Sequence, residues 1–438
     1  MPLDRRALLE DFEAGFKPRT ERLVGLEYEL IGVRLDDATH LPYDGGPVSV
    51  TSVLERLIRD YGWRAVGGPP LLELEREGSR ITLEPGAQLE LSARPHRTLR
   101  GAHAELRRFL AELRAATEPL GAAWLPLGMQ PVSPPDRIAL IPKPRYEIMN
   151  RYLPTRGAGA VWMMRTTAGV QVNLDVFSPE EAARGLRLAL LVSSPVVALL
   201  ANSPVSEGAA NGFMSKRAAS WLDVDSDRCG LPPRLLSPGL RASDYVDWAL
   251  EAGMFFVERD GRLVDMTGVK FREFLERGAR GQQASLADWK LHLTTLFPEA
   301  RLKSYLEIRC ADGNPPDLAL AFAALATGLI YGGSDGHEAV ESLLGGFDAE
   351  ARIAFHMDCA RRGPAARAPD GRSAAELMRE LLRLAAAELE RRSPEDRPLL
   401  APLEALAEEG RCPAMETLER WERDGAGAVA ALAAALAE

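Results

Sequence analysis

Residues 81–92 read ITLEPGAQLELS, and the fold turns on how this stretch is paired. From Ala87 to Ser92 apolar and polar side chains alternate, as in a strand with one covered face. The polar positions are Gln88 and Glu90, with Glu84 on the other side of a Pro85-Gly86 break. Proline lacks the amide that a central strand needs, so the run bends between Glu84 and Glu90. Two further strand-like segments repeat the acidic pattern. GLEYEL (25–30) sets Glu27 and Glu29 on one face, because strand side chains alternate, and YLEIRC (305–310) does the same for Glu307 and Arg309.

Each pair alone reads more readily as a solvated sheet face than as a site. Together they read differently, because basic residues are few among them and crowded carboxylates repel unless cations neutralise them. Magnesium takes oxygen ligands and bridges carboxylates to substrate phosphates. A magnesium–nucleotide complex would also reconcile an anionic substrate with a chain of formal net charge −10. Spacing alone does not establish that the three segments share a sheet face.

A hydrophobic content of 46% with 26% charged residues is that of a folded chain, and 438 residues suffice for one large domain or two ordinary ones. The acidic balance excludes a general nucleic-acid binder. Cys229, Cys310, Cys359 and Cys412 form no C-x-x-C pair, which suits reduced thiols in a cytoplasm. MPLDRRALLEDFEAGF lacks an apolar signal core, so export is not expected. LALLVSSPVVALLAN is short for a membrane span, contains Pro195, and reads as a buried core helix.

Helical spacing marks DRRALLEDFEAGF, SVTSVLERLIRDYGW and LRGAHAELRRFLAELRAATEPLG. Between and after them lie strand-like pieces, among them LVGLEYELIGV, LLELERE, RITLEP, AQLELSA, AAWLPLGMQ and GVQVNLDVF. Asp260-Gly261 in MFFVERDGRLVDM is a tight hairpin signal. From Asp317 onward the chain is alanine- and leucine-rich helix. The expected architecture is an α+β body, residues 1–314, carrying a helical C-terminal layer, residues 315–438, as one functional unit.

Cationic residues cluster in KPRYEIMNRY (Lys143, Arg145, Arg151) and in MSKRAASWLDVDSDRCG (Lys216, Arg217, Arg228). Arginine forks match carboxylate and phosphate oxygens, although each of these reads equally as a surface ion pair. There is no Walker loop, G-x-G-x-x-G or H-x-x-x-H pair. Nucleotide binding here would rest on a sheet and a metal.

The order of GLEYEL, ITLEPGAQLELS, PKPRYEIMNRYLP, VQVNLD, ANSPVSEGAANGFMSKRAASW, DSDRCG and LHLTTLFPEARLKSYLEIRCADG resembles that of the plant-type glutamate–cysteine ligases of plants and many bacteria. The resemblance runs from Gly25 to Asn314 and loosens in the helical tail. It implies a glutamine synthetase-like funnel, a curved antiparallel sheet lined by metal-binding acids. It implies ligation of the γ-carboxylate of L-glutamate to the amine of L-cysteine through a γ-glutamyl phosphate, with ATP as substrate and Mg²⁺ as cofactor. On this resemblance Glu27, Glu29, Glu84, Glu90 and Glu307 are metal ligands. Arg309 and Arg217 are catalytic, and Arg145, Gln171, Asn173, Trp221 and Gln88 bind substrate.

The expected partners are those small molecules alone, with no nucleic acid and no membrane, in a cytoplasmic monomer or homodimer. Two departures stand out. RTTAGVQVN (165–173) lacks a cysteine that many relatives carry, which removes the basis for a redox disulfide and is reminiscent of ligases that open ergothioneine synthesis. Phe255 replaces a tyrosine common in relatives, which leaves a different amine acceptor as the alternative activity. A non-catalytic metal- or nucleotide-binding relative is the third reading; the presence of every acidic motif position weighs against it, because unused buried charges destabilise.

Overall fold

Strand β1, Val24–Arg34, is buried along nearly its whole length. In the computed structural model, which describes residues 3–16 and 22–436, it is central to a nine-stranded antiparallel sheet. The other strands are β2 (Arg64–Ala65), β3 (Glu73–Arg76), β4 (Ser79–Leu83), β5 (Leu89–Ser92), β6 (Ala122–Leu125), β7 (Gly169–Leu174), β8 (Ala300–Leu302) and β9 (Leu306–Asp312). Their order is β8-β9-β7-β1-β5-β4-β3-β2. β6 pairs with the far end of β1, from Ile31 to Arg34, so β1 changes partner along its length.

The opening stretch is a hairpin. β4 and β5 pair from Leu83↔Leu89 outward, and residues 84–88 form the turn. The positive φ of that turn falls on Ala87, at 65°, and not on the glycine. Gly86 serves close approach instead: a Cβ there would lie 2.3 Å from the Arg165 carbonyl oxygen. The Asp260-Gly261 turn is also present, with φ of 49° and 70° joining strands Phe256–Arg259 and Arg262–Asp265. Both central residues at positive φ is the type I′ geometry that the sequence signals.

One face of the sheet is apolar. Tyr28 pairs with Leu91 and Leu91 with Ile81; Leu26 pairs with Val172 and Val172 with Ile308. All of these are buried in one cluster, each such side chain contributing about 1.5–3 kcal/mol. Helices Leu99–Thr117, Pro179–Leu199 and Pro316–Ile330 pack against the strands. Pro179–Leu199 is long and apolar enough to cross a membrane, but it is buried within the molecule, and its Arg187 pairs with Glu341. The apolar cluster runs from Leu8 to Ala407, so the helices after residue 314 share their core with the body. The last helix, Ala428–Ala434, returns against β6. The other sheet face carries the acids.

Candidate active site

Register decides which side chains meet. Glu29 is opposite Glu90, and Glu90 is opposite Thr82. Glu27 lies between Ser92 on β5 and Gln171 on β7. Asn173 faces Glu307, and Glu307 faces Arg301. Cross-strand partners share a face, as do alternate residues, so these residues line one surface that crosses six strands. The acids of the three quoted segments therefore share one face.

Amide and hydroxyl donors orient the carboxylates. Gln171 Nε2 donates to Glu29 Oε1 at 2.6 Å, and the Gly169 amide donates to Glu29 Oε2 at 2.6 Å. Asn173 Nδ2 donates to Glu27 Oε1 at 2.9 Å. Thr82 and Ser92 hydroxyls donate to Glu90 Oε1 at 3.0 and 2.6 Å. Burial, then the charges of Glu307 and Glu90, push Glu27 up to about 7. Burial and the charges of Glu84 and Glu90 raise Glu29 well above the usual carboxylate range, and burial with Glu84 raises Glu90. Like charges in a desolvated place carry an electrostatic cost that a bound cation would relieve.

Glu307 behaves in the opposite way. It is fully buried, yet Arg301 Nη2 at 2.9 Å, Lys303 Nζ at 2.7 Å and Arg309 Nε at 3.4 Å hold its carboxyl far below the usual range. The expectation of a metal ligand meets a carboxylate whose charge is already matched by three cations. Arg301 and Lys303 are site residues that sequence reasoning missed. Their signal was present in ARLKSYLEIRC, where Arg301 and Lys303 alternate just ahead of Glu307 and Arg309.

Arg309 packs on an aromatic pair, with Trp221 at 5.0 Å and Phe297 at 5.5 Å from its guanidinium carbon and the two ring centres 5.8 Å apart. Trp221, expected as a pocket wall, thus packs on the arginine itself, on helix Lys216–Leu222. Arg217 is buried and donates to the carbonyls of Arg309 (3.1 Å) and Cys310 (3.4 Å), where β9 shifts register between Ile308 and Ala311. It fixes the bulge that aims Arg309, and its charge is also felt by Glu29. Gly169 makes room for it, since a Cβ would sit 2.6 Å from Arg217 Nη2.

Gln88 corrects an expectation. Its Oε1 accepts from the Gly86 amide at 2.8 Å and its Nε2 donates to the Thr167 carbonyl at 2.9 Å, so it ties the hairpin turn to residues 164–167 and has no amide hydrogen bond directed at a ligand. Glu84 sits in that turn, half-buried, with its charge felt by Glu29, Glu90 and Lys143. Arg145 lies with its guanidinium carbon 5.5 Å from the Phe256 ring centre, and its buried Nε has no hydrogen-bond partner. Phe255 is in the core, with Arg228 stacked on it at 3.9 Å. All four cysteines are free and buried.

Among the described residues no three His, Cys, Asp or Glu side chains converge on one point as metal ligands. The reason is visible in the hydrogen bonds just given, which turn Glu27, Glu29 and Glu90 toward neutral donors. The donor set nonetheless fits a hard divalent cation in kind. It is all oxygen, at adjacent register positions, with raised pKa values that record unmatched negative charge.

A sequence model of glutamate–cysteine ligase family 2 (GCS2) matches residues 23–434. The chain is 34% identical over 425 residues to the chloroplastic glutamate–cysteine ligase B of Oryza sativa subsp. japonica, covering 96% of this chain and 84% of that protein. It is 34% identical over 424 residues to the chloroplastic glutamate–cysteine ligase of Arabidopsis thaliana, covering 96% and 80%. The fold is similar to that of a glutamate–cysteine ligase from Francisella tularensis solved in complex with AMP, at TM-score 0.58 and 13% identity, covering 96% and 90% of the two chains. It is also similar to a bifunctional glutathione synthetase from Pasteurella multocida, at TM-score 0.53 and 16% identity, covering 99% and 53%. The expectation of a cytoplasmic protein is corrected by the relatives' names, which are chloroplastic. Free buried thiols do not separate one reducing compartment from another. With its matched family model spanning nearly the whole chain and its acids gathered on one sheet face, the protein belongs to glutamate–cysteine ligase family 2.

Proposed function

We infer that this chain joins the γ-carboxylate of L-glutamate to the amine of L-cysteine at the expense of ATP, giving γ-glutamylcysteine, ADP and phosphate for thiol biosynthesis. Glutathione is a consistent end product. The observation that carries this reading is the register placing Glu27, Glu29 and Glu90 beside Gln171 and Asn173 on one face. A γ-carboxylate oxygen attacks the γ-phosphorus of ATP and ADP departs. The amine nitrogen then attacks the acyl carbon, phosphate leaves, and the nitrogen gives up a proton.

Glu27, Glu29, Glu84 and Glu90 would hold Mg²⁺, which when bound neutralises phosphate charge. Arg309, packed on Trp221 and Phe297, presents a planar cation to the phosphoryl group without having to reorganise. Glu307, with Arg301 and Lys303, sets the position and net charge of that arginine. Gln171 and Asn173 orient the carboxylates, and Arg145 supplies a cation for a substrate carboxylate. Every residue in this scheme comes from one chain, so a monomer and a homodimer would serve equally. Phe255 is buried with Arg228 stacked on it and offers almost no exposed surface to an acceptor amine, so the substitution that raised a different amine gives little support to one.

The test is ADP release with L-glutamate and a panel of amines, with the product identified by mass. Turnover with cysteine is expected. A faster rate with another amine would replace the acceptor, and silence with all of them would leave only a binding role.

A further inference from the structure

A second cavity, of about 380 Å³, lies away from the acidic face, where the start of β1 meets helices Pro316–Ile330 and Ala374–Arg392. Its charged lining is mixed in sign: Arg22, Arg97 and Arg392 against Glu388 and Asp396. Arg22 is half-buried, stacks on Tyr331 at 4.4 Å and pairs with Glu181 at 2.8 Å, while Arg97 and Arg392 stand at the exposed mouth. Asp396 is only 4% exposed, and its Oδ1 has no hydrogen-bond partner. It precedes the short helical turn Arg397–Leu400, yet its side chain makes no cap bond there.

A buried carboxylate oxygen without a donor is costly unless something supplies one. We propose that this cavity binds a small zwitterion, of amino-acid to dipeptide size, with its ammonium group on Asp396 and its carboxylate on Arg22, Arg97 and Arg392. A simple anion would meet Asp396 as a like charge, Glu388 being paired already with Arg391 at 2.6 Å and Arg392 at 3.4 Å, and a simple cation would meet the arginines. A ligand with both charges a few bonds apart satisfies both sets. Burial pushes Asp396 up to about 6 in the unliganded chain, a cost that an ammonium partner would offset. The volume is within the range of small-molecule sites. The proposal does not depend on the ligase assignment.

Titration calorimetry of the full chain without ATP tests it, using glycylglycine as zwitterion, succinate as anion and putrescine as cation. Glycylglycine should bind with a Kd at or below about 1 mM, and the other two should give no saturable heat. Asp396→Asn should weaken that binding at least about 10-fold, since a charge-assisted contact is lost, with ADP release unchanged. Arg392→Ala, at an exposed position, should weaken it as well and keeps the test alive should Asp396→Asn fail to fold. No binding, equal binding of all three probes, or binding indifferent to both substitutions would overturn the proposal.

Discussion

Glu29 and Glu90 occupy a paired position of β1 and β5, each 8% exposed, and both take their hydrogen bonds from uncharged donors. Two desolvated acids in that relation serve stability poorly, so their use lies elsewhere. Glu90→Gln keeps an oxygen for Thr82 and Ser92 while removing the charge. ADP release should fall about 100-fold or more. The urea midpoint of the unliganded chain should hold or rise. A variant with near-normal turnover would refute the metal role.

On the proposed function magnesium should stabilise the wild-type chain, because an ion held by the folded face and not by the unfolded chain favours folding. Differential scanning calorimetry should show the midpoint rising by about 2–5 °C at saturating Mg²⁺ and returning with chelator. Glu27→Gln and Glu90→Gln should show little of this rise. An equal rise in both variants would place the ion elsewhere.

The cluster around Glu307 makes a contrasting prediction. Glu307→Gln leaves Arg301, Lys303 and Arg309 buried without their counter-charge, and should cost about 3–5 kcal/mol in denaturant unfolding. Arg309→Lys should fold but lose turnover, because an ammonium cannot reproduce the planar fork that packs on Trp221 and Phe297. Recovery of full rate by lysine would show that charge alone matters there.

Acid should unfold the chain partly through His292. It is buried, lies 4.9 Å from the ring of Phe271, has Nε2 at 2.8 Å from the Ala249 carbonyl oxygen, and burial pushes it down to about 3 from 6.5. Its folded pKa is depressed, so its contribution is complete above pH 6.5 and is lost as pH falls toward about 3. Between about pH 7 and about pH 5 the urea midpoint of the wild type should drop further than that of His292→Gln. Parallel curves would assign the acid sensitivity to other groups.

How much of this was legible follows from the range of each signal. Alternation over two residues puts Glu27 with Glu29 and Gln88 with Glu90, but it says nothing about which strand pairs with which. The family resemblance implied one funnel shared by these segments, and the pairing itself is seen only in the register. Gln88 was misplaced because the same alternation carries on into a turn, where Ala87 at positive φ redirects the chain and the amide closes on backbone groups. Arg301 and Lys303 went unread because β8 has only three residues, too few for a period to declare itself. The helical layer was plain from composition. Its shared core with the body was not, since burial depends on contacts far apart in sequence.

The sequence separation of β1's partners sets the order in which the molecule can assemble. Glu29 waits for Glu90, Glu27 for Gln171, and Asn173 for Glu307. A nascent chain therefore has no finished reaction face until Glu307 and Arg309 have been made, and folding governed by such long-range pairings is slow. In the interval the half-built sheet exposes unpaired edges that are open to pairing with other chains.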